Sequence, residues 1–346
     1  MWKIFWWKVP AALPQWQMPV LIDLLWLIAG LTALYFGAEW LVGGASSLAI
    51  RFGISPLVVG LTVVAFGTSA PELFVSIGFN LNGHPGMALG NVVGSNICNI
   101  ALVLGVSAFI CLLQIKSQLI RRDLPVLLLS MIAFTMMLWN GQISRIEGGI
   151  LFAAVLGYTW YRLVLTRKIE EPEVTEQFEE EFDLEKAESD PVWKFSILIL
   201  VGLVGLYFGA KWLEIGGVGL AEKMGVPKAV ISLTLIAFST SVPELATSII
   251  ASLKKQGDII TGSVIGSCIF NLLSVIGITA LVKPLQTGGI EMSDLYVMIG
   301  LTVVLCIMMF TGKRISRSEG GLLLLGYAGY CTFLWFDRVA GAAAAS

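Results

Sequence analysis

Charge is what this sequence has least of. Only 13% of its 346 residues are charged, where a soluble domain carries about 25%. The formal net charge of −2 says nothing about nucleic acid, but the chain is too short of basic clusters for that role. Histidine occurs once, at His84 in a predicted loop, so a zinc or copper centre has no imidazoles to draw on. The five cysteines, Cys98, Cys111, Cys268, Cys306 and Cys331, sit in apolar runs without metal or disulfide spacing and read as small buried residues. There are no paired aspartates, Ser–His pair or His-Glu-x-x-His of the kind an intramembrane protease needs, so no enzyme and no cofactor is expected. No continuous apolar stretch precedes Pro10 and Pro14, which argues against a cleavable signal peptide.

What is abundant is apolar sequence. The chain is 56% hydrophobic, with a mean hydropathy of +0.84. Runs of about 20 apolar residues mark membrane-spanning helices. Ten are expected, over 21–46, 56–79, 87–113, 123–139, 147–165, 194–216, 227–252, 259–282, 294–311 and 319–336. The class is therefore an all-α membrane protein, its first partner the lipid bilayer. Trp2, Trp6, Trp7 and Trp16 make residues 1–20 an interfacial segment. Residues 21–166 form a first five-helix unit and 193–340 a second. Between them, 167–192 is an acidic, solvated linker without the glycine-containing loop of a calcium-sensing hand. Residues 341–346 read as an appended tail outside the fold.

The two units are copies. Ala-Phe-Gly-Thr-Ser-Ala-Pro-Glu, from Ala65, returns as Ala-Phe-Ser-Thr-Ser-Val-Pro-Glu, from Ala237. Gly-Asn-Val-Val-Gly-Ser-Asn-Ile-Cys-Asn, ending at Asn99, returns as Gly-Ser-Val-Ile-Gly-Ser-Cys-Ile-Phe-Asn, ending at Asn271, and every matched pair lies 172 residues apart. Because five is odd, the second unit must enter the membrane from the opposite side, giving two inverted five-helix repeats. That arrangement is associated with alternating access at a midplane site. Lysine and arginine counts on the two sides are 14 and 7 with Lys211 left out, which puts both termini outside and the linker in the cytoplasm. Arg162 is counted there among the loop charges.

The chemistry sits on predicted helices 2–3 and 7–8. Ala65, Thr68, Ser69, Glu72 and Ser76 share one helical face. Pro71 has no N–H, so the Gly67 carbonyl loses its helical donor; Pro243 does the same to Ser239. Ala237, Thr240, Ser241, Glu244 and Ser248 repeat the face, and Ser95 with Asn99 and Ser267 with Asn271 add a second layer. A carboxylate at membrane depth costs a few kcal/mol and needs a partner. Here every candidate ligand is oxygen, the preference of hard cations such as Ca²⁺ and Na⁺. Two glutamates supply −2, which one Ca²⁺ or two Na⁺ neutralise; protons are a further way to neutralise the empty pair. A pocket that crosses filled by either cargo, but not empty, is an antiporter. A channel is the rival outside that class. Ser76 and Ser248 are expected to bond the carbonyl four residues back, the glycines to let helices pack, and Glu39, Lys211 and Glu214 to snorkel or pair locally.

These motifs resemble the α-repeats of the sodium/calcium exchanger branch of the cation/calcium antiporter superfamily, and the resemblance extends over nearly the whole chain. It implies secondary active exchange of Na⁺ for Ca²⁺ across the cell membrane, with no protein partner required. Ca²⁺ would be held by Glu72, Glu244 and the carbonyls of Thr68 and Thr240. One flanking sodium position would use the Ala65 carbonyl, Ser69, Ser95 and Glu72, and the other the Ala237 carbonyl, Ser241, Ser267 and Glu244. Asn99 and Asn271 would surround the middle position. Helices 1 and 6 would slide across a rigid core, with Gly43-Gly44 and Gly216-Gly217 suited to bending or close contact. Ser239 and Cys268 depart from the family motif. Asn271, where a potassium-dependent branch carries Asp, implies electrogenic exchange independent of K⁺. The alternatives are an H⁺/Ca²⁺ exchanger and a K⁺-dependent Na⁺/Ca²⁺ exchanger.

Overall fold

The computed structural model describes residues 20–52, 54–166, 190–224, 237–286, 292–334 and 336. The tryptophan-rich start, most of the acidic linker, the first part of the seventh expected helix and the closing tail lie outside the described residues. Within them the apolar runs are helices, because a backbone in hydrocarbon must pair its own N–H and C=O groups. These are α1 (Val20–Phe52), α2 (Leu57–Leu81), α3 (Pro85–Ile110) and α4 (Leu119–Asn140), then α5 (Arg145–Thr166) and α6 (Val192–Lys223). After them come α7 over 237–253, α8 (Gly257–Val282), α9 (Met292–Gly312) and α10 (Arg317–Leu334). Seven of them, α1 to α4, α6, α8 and α9, are long and apolar enough to cross a membrane.

Helix ends differ from the hydropathy reading. α1 continues past residue 46 to Phe52, and α3 stops at Ile110 rather than 113. The fold also contains strands, which an all-helical reading omits. β1 (Leu113–Gln114) pairs antiparallel with β4 (Arg314–Ile315), and β2 (Gln142–Ile143) pairs with β3 (Leu285–Gln286). These two-residue ladders satisfy backbone groups where the helices end. They are also one ladder twice: Leu113 faces Ile315 and Ile143 faces Leu285, and each residue of the first pair lies 172 from one of the second. The helix starts repeat in the same way. Glu147 accepts from the Ser144 amide at 2.7 Å, and Glu319 accepts from the Ser316 amide at 2.7 Å.

Burial sorts the helices into layers. In α8, 89% of the apolar window lies inside the protein, and in α3 72%, against 22% in α1 and 28% in α6. The inner layer is therefore built from the motif-bearing helices. α8 crosses the first half of α2 at backbone contact: a Cβ on Gly262 would lie 2.5 Å from the Leu57 carbonyl oxygen, and one on Gly266 2.7 Å from that of Leu61. The outer pair α1 and α6 run antiparallel along their length. A Cβ on Gly30 would meet the Leu213 nitrogen at 2.7 Å, and one on Gly202 the Leu41 nitrogen at 2.7 Å, again the same contact viewed from each copy. Further along, Gly44 approaches the Phe195 carbonyl and Gly216 that of Asp23, while Gly43 has nothing within 4 Å.

Three polar readings change. Arg162 is not a loop charge: it is buried in α5, its Nε 3.2 Å from Asp123, which also accepts from the Tyr158 hydroxyl at 2.8 Å. Charged groups at this depth are tolerated because they are paired. Glu39 pairs across the fold with Lys254 at the end of α7, at 2.7 Å, instead of locally. Cys98, Cys268 and Cys306 are buried as expected, but Cys111 is half-buried and Cys331 exposed.

The α1–α6 contact gives a test. Gly202→Leu is expected to lower stability by about 1–3 kcal/mol, because its side chain must displace backbone. Gly43→Ala, facing open space, is expected to leave the unfolding midpoint unchanged. Thermal unfolding of the detergent-solubilised protein, followed by tryptophan fluorescence, measures both.

Candidate functional site

The inner helices are interrupted where the motifs fall. In α2 the helix breaks at Ser69 (φ −84°, ψ 3°), and a second segment begins at Ala70 with Pro71 in its first turn. In α7 the break is at Ser241 (φ −91°, ψ 2°), and the second segment begins at Val242 with Pro243 in its first turn. The two prolines start new helical segments instead of kinking a continuous helix, since Pro is well accommodated in a first turn, where no donor is needed. Glu72 and Glu244 both fall in the first turn of their new segments. There the positive end of the helix dipole favours a carboxylate.

α3 and α8 are interrupted differently. Each passes through a π-helical turn, Cys98–Val103 and Asn271–Val275, in which the Leu104 amide donates to the Asn99 carbonyl and the Ile276 amide to the Asn271 carbonyl. Such single-turn widenings are common at functional sites. Sequence periodicity gave no sign of them, because one extra residue in a uniformly apolar helix leaves the pattern unchanged.

The predicted side chains lie in the protein interior. Glu72, Glu244, Thr68, Ser69, Ser95, Asn99, Thr240, Ser241, Ser267 and Asn271 are all buried, as is Ala65. Ala237 is described only through its backbone, at the start of α7. The grouping crosses the two halves. Glu244 is close enough to Glu72 to repel it, and Glu72 has Ser95 of its own half and Thr240 of the other as neighbouring hydroxyls. Glu244 has Thr68 and Ser69 beside it, and its Oε1 accepts from Ser69 Oγ at 3.4 Å. The two glutamates thus belong to one site.

Its chemistry is legible from what the side chains leave unbonded. Both oxygens of Glu72, Oε2 of Glu244, the hydroxyls of Ser95, Ser241 and Ser267, and the amide groups of Asn99 and Asn271 have no hydrogen-bond partner within the protein. Buried polar groups are normally paired. A cluster of unpaired oxygens around two carboxylates has the donor set of a hard cation site. Thr68 Oγ1 is not among them, since it bonds the Val64 carbonyl at 3.1 Å; the carbonyl of Ala65 already accepts the Ser69 amide at 3.0 Å.

Ser76 corrects an expectation. Its hydroxyl reaches across to the Ala88 carbonyl at 3.5 Å and accepts from Asn91 Nδ2 at 3.0 Å, instead of bonding four residues back. Ser248 Oγ has no partner. Two asparagines went unassigned in the sequence. Asn91 also donates to the Glu72 carbonyl at 3.3 Å. Asn80 donates to the Lys283 carbonyl at 2.6 Å, and Lys283 Nζ returns a bond to the Asn80 carbonyl at 3.0 Å. A polar residue inside an apolar motif was the available signal for both.

The helix breaks lead to a prediction. Pro71→Ala removes the ring that fixes the backbone in the first turn of the second segment, so the turn that presents Glu72 is less firmly placed. It is expected to weaken binding of a hard cation at the site about 2- to 12-fold, the scale of one hydrogen bond, as measured by titration calorimetry in detergent with Ca²⁺ as the probe.

The family model described as sodium/calcium exchanger protein matches residues 22–164 and again 194–336. The protein CaxA of Alkalimonas amylolytica is 35% identical over 318 residues, which cover 90% of this chain and 98% of that one. The sodium/calcium exchanger MaX1 of Methanosarcina acetivorans is 30% identical over 351 residues, covering 92% and 99%. Among solved structures, the sodium-calcium exchanger NCX_Mj soaked with Na⁺ and Sr²⁺ superimposes with a TM-score of 0.76 at 30% identity, covering 90% of this chain and 97% of that one.

Proposed function

The chain belongs to the sodium/calcium exchanger protein family of multi-pass membrane cation/calcium antiporters, and from that premise we propose that it exchanges Na⁺ for Ca²⁺, electrogenically and without K⁺. The observation that carries the reading is the pair of buried carboxylates surrounded by unpartnered oxygens from both halves of the chain. Glu72 and Glu244 hold Ca²⁺ with the carbonyls of Thr68 and Thr240. The flanking positions take Na⁺, one with the Ala65 carbonyl, Ser69 and Ser95 beside Glu72, the other with the Ala237 carbonyl, Ser241 and Ser267 beside Glu244. Asn99 and Asn271 face the middle of the site and add no charge.

Charge then sets the stoichiometric logic. The two glutamates supply −2, and one Ca²⁺ brings the loaded site to neutrality. Two Na⁺ do the same, and a third Na⁺ on neutral oxygens makes the sodium-loaded form positive. Exchange of one Ca²⁺ for three Na⁺ moves net charge, so the membrane potential works on it at about 2.3 kcal/mol per charge per 100 mV. An unloaded −2 site in a low-dielectric interior is costly to carry across, which couples the two fluxes. Both termini lie outside and the acidic linker in the cytoplasm, the orientation favoured by the lysine and arginine asymmetry.

In proteoliposomes, an outward Na⁺ gradient is expected to drive uptake of ⁴⁵Ca²⁺. Glu72→Gln and Glu244→Gln are each expected to lower uptake at least about 100-fold, since truncating one buried charge costs about 3–5 kcal/mol. Wild-type rates in both variants would refute the site. Uptake driven by a pH gradient in the absence of Na⁺ would replace sodium by protons as the coupling ion. Replacing K⁺ by choline is expected to leave the rate unchanged, and a valinomycin-set potential to alter it; a strict K⁺ requirement or indifference to potential would overturn the corresponding part.

A further inference from the structure

We propose that Asn91 is a positioning residue that ties the Glu72 segment of α2 to Thr240 of α7 and sets their spacing around the cation; this rests on the antiport reading of the site. Asn91 lies on α3, is buried, and touches three groups. Its Nδ2 donates to the Glu72 carbonyl at 3.3 Å and to Ser76 Oγ at 3.0 Å. Its Oδ1 accepts from Thr240 Oγ1 at 3.4 Å. The orientation of the amide is fixed by these partners. A carbonyl can only accept, so the nitrogen must face Glu72, leaving the oxygen for the one hydroxyl on the far side that can donate. One side chain therefore grips the backbone of the carboxylate-bearing turn in the first half and the hydroxyl of a ligand-bearing residue in the second.

The link exists on one side only. The residue matched to Asn91 by the 172-residue register is Ser263. Its side chain is shorter and ends in a single oxygen, and both Ser263 Oγ and the matched Ser248 Oγ are buried without a partner. Thr68, the match of Thr240, directs its hydroxyl to its own helix, to Val64. So the Glu72–Thr240 face is braced across the two halves through an amide, and the Glu244–Thr68 face is not braced in this way. Two nearly identical half-sites are thereby made unequal. A brace of this kind holds the Thr240 carbonyl at a fixed separation from Glu72, which matters most to the divalent ion that engages both.

Asn91→Ser installs the residue the other half carries and removes the brace with little change in bulk. Thr240→Val removes the hydroxyl that Asn91 holds, which also neighbours the Glu72 carboxylate. Each is expected to raise both the Ca²⁺ dissociation constant and the KM for Ca²⁺ about 3- to 10-fold, the scale of one or two hydrogen bonds. For Asn91→Ser the maximal exchange rate should stay within about twofold. Because both changes break the same link, the double variant is expected to match the weaker-binding single variant instead of multiplying the two. Equilibrium ⁴⁵Ca²⁺ binding in detergent and Na⁺-driven uptake in proteoliposomes are measured on the same preparations, with size-exclusion profiles to verify folding. Multiplicative effects in the double variant, or a fall in maximal rate with unchanged affinity, would overturn the brace. If Asn91→Ser does not fold, unchanged affinity in Thr240→Val overturns it independently. A wild type that binds Ca²⁺ and exchanges it leaves the antiport reading standing whatever the variants do; one that does neither removes both proposals.

Discussion

Two carboxylates buried side by side in an apolar helical protein are the constraint on which the rest of this structure depends. Each is costly to remove from water, and each makes the other worse. The chain answers with helix breaks at Ser69 and Ser241, which put both glutamates in the first turn of a new segment. It also surrounds them with hydroxyls and amides drawn from both halves. These groups compensate the burial only in part, since most of them remain without hydrogen-bond partners inside the protein. On the proposed reading, the remainder falls to a cation. A site that is incomplete without its cargo is well suited to a carrier, because the unloaded form is the one that resists crossing.

The surrounding architecture serves that requirement. The four motif-bearing helices make the inner layer, and glycines at 262 and 266 let α8 approach α2 closely enough for backbone contact. Close approach matters here because short side chains, Ser, Thr and Asn, must reach a common point. The outer helices α1 and α6 are set apart by their glycine-lined antiparallel contact and low burial. Other carboxylates are paired with basic side chains: Asp123 with Arg162, Glu39 with Lys254, and Asp23 with Lys223. Each of these carboxylates has a basic partner; on the proposed reading, Glu72 and Glu244 are left for the transported ions.

The near-symmetry of the halves is visible at several scales. Strand pairs, helix caps and glycine contacts all recur in the 172-residue register. The departures are therefore informative. Asn91 against Ser263 is one that touches the Glu72 carbonyl, and it turns two equivalent half-sites into a braced one and an unbraced one. A carrier that must bind ions of different charge at neighbouring positions gains from such inequality, because identical half-sites would offer each ion two equal places.

The sequence by itself determined the class of the molecule, the duplication and the candidate ligand residues. Hydropathy is a sum over many residues and survives local error, and the repeat register is arithmetic. Proline and glutamate in an apolar run are rare enough to stand out. What only the tertiary structure decided is how the two halves meet. Ser69 reaching Glu244, Asn91 reaching Thr240, and β1 pairing with β4 are contacts between residues roughly 150 to 200 positions apart, and no local pattern encodes them. The π turns at Asn99 and Asn271 were equally hidden, since a one-residue widening leaves an apolar run looking the same. Ser76 and Arg162 were misread for a related reason: whether a polar side chain bonds its own helix or a neighbour depends on what packs against it. That is fixed by distance in space, and the order of residues along the chain does not contain it.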